Sequence, residues 1–319
     1  MNRHLILALF HNMTDENAFR PLLDGFPRLL SLCNPPDRDR FGGIMAPLQL
    51  APSLVILSTR LYPESRPELV GELRRLYPRA EILLVTPGTD PLPQLKRIAD
   101  DRIRHLFVTP DHDAEGILSL RQAISGLLTG SPWQLRDYVR PGSRVHEFPL
   151  NSSSQKELLI EAVEHAIAGD SPEMELLRQK GALLADEMVE NALYGAPRGD
   201  DGKKLYCKGE DRLIDDGEQI VFRYAFDGET LAMEIADGWG TLAPEMVVDF
   251  LSRNQDGALA EDGETGGRGL FIIWRFLDHL HVNIRPGRKT VLGGHLRAVS
   301  PLDWESPRGF SISTDYACP

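Results

Sequence analysis

Four short apolar runs do most to limit the fold of the first half of this chain: Leu5–Phe10, Leu54–Leu57, Glu81–Val85 and Arg104–Val108. Each is too short for a core helix and lacks the polar alternation of a strand with one wet face. They therefore read as strands buried on both sides. Stretches with helical apolar spacing accompany them, at Glu16–Leu32, Pro67–Leu76, Pro91–Ala99 and Ala114–Leu128. The proline- and glycine-rich stretch Asn34–Leu48 reads as a loop. Buried strands alternating with helices predict an α/β domain on a doubly wound parallel sheet over residues 1–135.

Gly130, Pro132, Pro141 and Gly142 then mark a connection, with a linker at 136–142, a second domain over 143–300 and a C-terminal tail at 301–319. In the second domain Arg144–Leu150 alternates like an opening strand. Helices are expected over Gln155–Ala168 and Pro172–Leu193. Gln219–Ala225 and Thr230–Ala236, joined by Asp227-Gly228, read as a hairpin, and His281–Ile284 and Thr290–Arg297 as closing strands. Arg198–Gly217, polar and glycine-rich, reads as an insertion.

Three islands of unusual residue choice lie in this half. In Ala185-Asp186-Glu187-Met188-Val189-Glu190-Asn191-Ala192, Glu187 and Asn191 are four apart on one helix and project from the same face. A neutral carbonyl oxygen suits Mg²⁺, and a nearby carboxylate suits general-base work. The second island is Ile235-Ala236-Asp237-Gly238-Trp239-Gly240, at the end of a strand. The third, Gly263-Glu264-Thr265-Gly266-Gly267-Arg268-Gly269-Leu270-Phe271, opens an apolar helix. Glycines there let backbone N–H groups approach an anion, with Arg268 as a further contact. No strand precedes these glycines and no lysine follows in the P-loop pattern, so dinucleotide and P-loop readings fit poorly.

In this order and spacing the islands resemble the three boxes of the GHKL (histidine-kinase-like) ATPase fold, nearest its anti-sigma serine-kinase branch. The resemblance covers about residues 141–300 and implies an α/β sandwich that binds ATP and Mg²⁺. It makes Asn191 the Mg²⁺ ligand, Glu187 the residue that orients or deprotonates the attacking group, and Gly266, Gly267, Arg268 and Gly269 the phosphate cradle. The second box departs from the family's Asp-x-Gly-x-Gly. Aligning Gly238 and Gly240 leaves Ala236 at the aspartate position; alternatively Asp237 reads the adenine from a turn one residue shorter. Asp237 is preferred, because alanine cannot replace a buried acceptor, and Thr290 matches a hydroxyl that supports this aspartate in the family. Trp239 packs on the base or fills the core, the latter being preferred. Asn254–Thr265 fits the segment that covers nucleotide in this fold.

The first half resembles a response-regulator receiver (a flavodoxin-like module being the alternative), but without its chemistry. Ser58 stands where the phospho-acceptor aspartate is expected, Phe10-His11-Asn12 replaces the acidic pair, and Thr109-Pro110 replaces lysine-proline. Only the hydroxyl of Thr86 survives. Serine forms no acyl phosphate, and the reading finds no carboxylate left to seat a metal.

Together these features imply a signalling regulator that transfers the γ-phosphoryl of ATP to a serine or threonine of a protein partner, such as a sigma factor or an anti-sigma antagonist. The alternative is a non-catalytic module that sequesters such a partner. A homodimer is implied by resemblance alone. A true histidine kinase is disfavoured, since His165 lacks the acidic, proline-containing context of a phospho-acceptor. The net charge of −12 argues against direct nucleic-acid binding, and no apolar run approaches the ~20 residues of a membrane span. Cys33, Cys207 and Cys318 form neither a disulfide framework nor a metal cluster, which points to a reducing, cytoplasmic setting.

Overall fold

The computed structural model describes residues 4–26, 28–34, 51–62, 66–86, 92–108, 114–253, 268–298 and 308–314. The chain divides into two compact units, Met1–Pro132 and Trp133–Pro319. Both are α/β. Among the described residues no helix is long and apolar enough to cross a membrane.

The first unit carries β1 (Ile6–Phe10), α1 (Met13–Leu23), β2 (Leu29–Cys33), β3 (Leu54–Ser58), α2 (Leu69–Leu76), β4 (Glu81–Thr86), α3 (Leu95–Asp100), β5 (His105–Val108) and α4 (Ala114–Thr129). All five strands are parallel, in the order β2-β1-β3-β4-β5. That is one of the two common doubly wound orders. β1 and β3 are buried along their whole length, as unbroken apolar runs require. The helix expected over Glu16–Leu32 is corrected: α1 stops at Leu23, Gly25 turns the chain at φ +100°, and Leu29–Cys33 forms the half-buried strand β2.

Ser58 ends β3 fully buried, its Oγ accepting from the Arg60 N–H at 3.2 Å. The expectation that this edge holds no carboxylate is also corrected. Asp15 is fully buried there, accepting from the His11 N–H at 3.1 Å and lying 3.9 Å from the Arg60 guanidinium. Its own N–H bonds Asn12 Oδ1 at 2.9 Å, so it completes the N-terminal cap of α1. Thr86 ends β4, buried. Thr109-Pro110 lies outside the described residues.

The second unit carries β6 (Val145–Pro149), α5 (Lys156–Ala166), α6 (Pro172–Glu190), β7 (Val221–Phe226), β8 (Thr230–Asp237), α7 (Pro244–Arg253), α8 (Arg268–Phe276), β9 (His279–Arg285), β10 (Lys289–Arg297) and β11 (Gly309–Thr314). Its strands follow the order β11-β9-β10-β8-β7-β6, antiparallel except for β11 beside β9. The expected tail thus contributes a strand, anchored by Arg308, which donates to Asp278 Oδ1 at 2.8 Å and to the Arg275 carbonyl at 3.1 Å.

The two faces of β8 meet different neighbours. A Cβ on Gly181 of α6 would lie 2.9 Å from Leu231 Cδ2, so positions 231, 233, 235 and 237 face the helices. Glu234, on the other face, accepts from the Leu135 N–H at 3.1 Å. Residues 133–139, expected as the end of the first domain and the start of the linker, therefore form a strap over that face. Leu135 and Val139 join Ala225 and Ala232 in one buried cluster. Tyr138 stacks on Trp133 and on His295, its hydroxyl 2.9 Å from His279 Nδ1 and 3.1 Å from His281 Nδ1. These histidines lie far along the chain, so local composition showed only glycine and proline.

Candidate nucleotide site

α6 ends at Glu190 and continues as one π-helical turn, Asn191–Gly195. Asn191 opens that turn, and its Nδ2 is buried with no hydrogen-bond partner among the described residues. One turn earlier stands Glu187, half-buried. Burial, its largest influence, raises its carboxyl above the ordinary value; Lys208 and Arg268 oppose this, while Asp186 and Glu190 add to it.

The start of α8 closes over both side chains. A Cβ on Gly269 would lie 2.7 Å from Glu187 Oε2 and 3.0 Å from Asn191 Nδ2. The first and third islands thus meet, and only glycine leaves the room between them. Arg268 is exposed beside this contact. Gly266, Gly267 and Asn254–Thr265 lie outside the described residues.

The second island reaches the same region. Thr241 Oγ1 donates to the Ala196 carbonyl at 2.9 Å, tying the chain after Asp237 to the end of the π-helical turn. Of the two alternatives there, Asp237 is on the helix side of β8 and Ala236 on the strap side. Asp237 is buried, and its Oδ1 accepts from the backbone N–H groups of Trp239 (2.9 Å) and Gly240 (3.4 Å). Thr290 sits directly across the ladder, buried, and its Oγ1 has no hydrogen-bond partner among the described residues. It is beside Asp237 without bonding it.

Gly238 and Gly240 have packing reasons of their own. A Cβ on Gly238 would meet Gly217 O at 2.5 Å. Gly240 takes φ +57°, and a Cβ there would meet Arg285 O and, at 2.5 Å, Arg288 N. Trp239 is half-exposed rather than core, its indole N–H donating to Glu218 Oε2 at 3.2 Å.

Burial, the largest influence on Asp237, pushes its carboxyl up to about 6, against the Trp239 and Gly240 N–H groups and Lys289, which lower it. A raised folded-state value means the protonated form stabilises the fold below the unfolded value, and this stability is lost as pH rises through about 6. Asp237→Asn keeps an oxygen acceptor and stays neutral. We expect it to exceed the parent in stability by on the order of 2 kcal/mol at pH 8, the gap closing toward pH 4. Urea titrations at both pH values check this; an equal gap at both would contradict it.

Sequence reasoning missed two groups that complete the region. Lys156 Nζ bridges Asp186 Oδ1 (2.6 Å) and Glu190 Oε1 (2.9 Å), and Lys208 Nζ meets Glu190 Oε2 at 2.5 Å. Beneath them the Arg212 guanidinium pairs with Glu218, donates to the Leu193 carbonyl at 2.7 Å and covers the Tyr206 ring. Lys208 and Arg212 come from the stretch read as an insertion and Lys156 from α5, and no local spacing signals them.

The residues present fit Mg²⁺–ATP on two counts. Among the described residues the buried Asn191 Nδ2 and Thr290 Oγ1 are unpartnered, and the start of α8 comes directly against a carboxylate and an amide at Gly269. Among the described residues no three His, Cys, Asp or Glu side chains group to hold a metal. Mg²⁺ at a nucleotide needs none, since it takes few protein ligands beside phosphates and waters.

No family model matches the chain, and none of the curated proteins does. Among solved structures it is similar to the RcsB response regulator of Salmonella typhimurium, at 14% identity and TM-score 0.30, over 58% of this chain and 93% of that one. It is also similar to a fungal multi-domain GH3 β-N-acetylglucosaminidase with a GCN5-related glucosamine N-acetyltransferase region, at 12% identity and TM-score 0.29, over 73% of this chain and 24% of that one. Overlaps this weak fix neither fold nor activity.

Proposed function

We propose that the chain is an ATP- and Mg²⁺-binding signalling regulator, a degenerate receiver-like unit joined to a GHKL-type unit of the anti-sigma kind, which phosphorylates a serine or threonine of a protein partner. The observation that carries this is the meeting of Glu187, Asn191 and Gly269, drawn from two distant islands into one contact. The parallel order β2-β1-β3-β4-β5 and the mixed second sheet support the two fold assignments.

Bound Mg²⁺–ATP supplies the transferable phosphoryl group and neutralises charge as it moves. Asn191 would hold the metal through its side-chain carbonyl oxygen. Glu187 takes the proton of the incoming hydroxyl, a role suited to a carboxylate raised by burial. The N–H groups opening α8, with Arg268, would hold phosphate oxygens. Asp237 accepts from the base's exocyclic amino group.

A second reading, a non-catalytic module that sequesters its partner, is favoured by the turn-closing use of Asp237 Oδ1 and by the serine at position 58. Calorimetric titration with a non-hydrolysable ATP analogue, with and without Mg²⁺, tests the nucleotide site. Micromolar binding that needs Mg²⁺, weakened at least about tenfold by Asn191→Ala, is expected. Absence of binding by well-folded protein would refute the kinase reading, and phosphotransfer to a partner separates the two.

A further inference from the structure

We propose that Lys208 is a phosphate-binding residue of this site, brought to its rim by the segment 198–218. The proposal rests on the nucleotide reading above and adds a residue that none of the three islands contains.

Asp186, Glu187 and Glu190 place three carboxylates within little more than one helical turn, a poor surface for a polyphosphate unless cations offset it. Two lysines do so, in different ways. Lys156, on α5, bridges two carboxylates and is only 26% exposed. Lys208 is 69% exposed and meets one oxygen of Glu190, whose other oxygen Lys156 already holds. Lys208 can therefore exchange Glu190 for a phosphate oxygen while Lys156 stays on that carboxylate; Lys156 cannot move without stranding Asp186. Glu190 stands three residues after Glu187 on the same helix face, so its partner Lys208 lies near the contact at Gly269, and the Lys208 charge acts on Glu187. Arg268 also acts on Glu187, from the other segment, so the contact has a cation from each.

The backbone carrying Lys208 is tied down on both sides. The Cys207 N–H donates to Glu210 Oε2 at 2.8 Å, and Tyr194 Oη to the Glu210 carbonyl at 2.8 Å. The Arg212 N–H donates to Ser153 Oγ at 3.0 Å, with its guanidinium on Glu218. Only the side chain must swing, so little ordering cost opposes the contact.

The test is calorimetry on the full chain with two probes, the Mg²⁺-loaded non-hydrolysable ATP analogue and adenosine, which lacks phosphate. Lys208→Ala should weaken the analogue about tenfold, as loss of one charge-assisted hydrogen bond does, and leave adenosine unchanged. Lys208→Met, which keeps a long unbranched side chain without the charge, should lose the same amount, and Lys208→Arg should recover most of it. Melting of the nucleotide-free variants should match the parent, since the residue is exposed. Unchanged analogue affinity in Lys208→Ala, beside a loss in Asn191→Ala, would overturn this proposal alone. An equal loss for adenosine would make Lys208 a prop of the loop and overturn it too. Failure of the folded parent to bind the analogue would overturn both this and the reading beneath it.

Discussion

Glu218→Ala is expected to destabilise the second unit by about 3–5 kcal/mol. Glu218 and Arg212 are each only 5% exposed, and the carboxylate also accepts from the Asp215 N–H at 3.0 Å and from the Trp239 indole. Truncation strands a buried guanidinium, whose remaining partners are the Leu193 carbonyl and the face of Tyr206. That penalty comes from the unpaired charge and not from the worth of the pair. Replacing both residues by leucine should therefore cost less than Glu218→Ala alone. Denaturant unfolding followed by tryptophan fluorescence reads this, fitted for two units rather than one transition. A loss below about 1 kcal/mol, or a double variant worse than the single one, would contradict the argument. Damage should also spread to the candidate site, because the Glu218 carbonyl accepts from the Gly238 N–H at 2.5 Å, directly after Asp237.

The contrast between this pair and the three islands shows what local pattern can convey. β1, β3, β4 and β5 are legible because a strand buried on both faces must be apolar at every position. Glu187 and Asn191 are legible because helical spacing alone puts them on one face. β2 is hidden: Leu29, Leu30 and Leu32 continue the helical spacing of α1, and the break is marked by Gly25, at positive φ, and Pro27. β11 follows a polar stretch and gains its place from pairing with β9, a partner the sequence does not name. Likewise the strap is held by histidines on β9 and β10, and Lys208 by a carboxylate on α6. Each is a pairing across long separations, invisible to composition. Asp15 was overlooked for another reason: it stands three residues past its N-cap, where an acidic side chain has an ordinary capping role.

Gly240→Ala should cost about 2–5 kcal/mol of stability, combining a left-handed backbone unsuited to alanine with overpacking. The atoms that its Cβ would strike, Arg285 O, Arg288 N and Lys289 N at 2.8 Å, are all backbone, in the turn between β9 and β10. That turn is closed on Gly240 itself, whose carbonyl accepts from the Gly287 N–H at 2.9 Å. Neither side can yield without opening the ladder that sets Thr290 opposite Asp237. Gly269→Ala makes the opposite case. Its Cβ would strike the ends of two side chains, Glu187 and Asn191, which can rotate away. Urea unfolding of Gly269→Ala should fall within about 1 kcal/mol of the parent, while binding of the Mg²⁺-loaded analogue drops at least about tenfold. If Gly240→Ala instead spared stability and removed binding, the second-island glycine would be a ligand contact. If Gly269→Ala unfolded the unit, the third island would be packing. The expected split assigns backbone packing to Gly240 and ligand space to Gly269, although the two look alike in sequence.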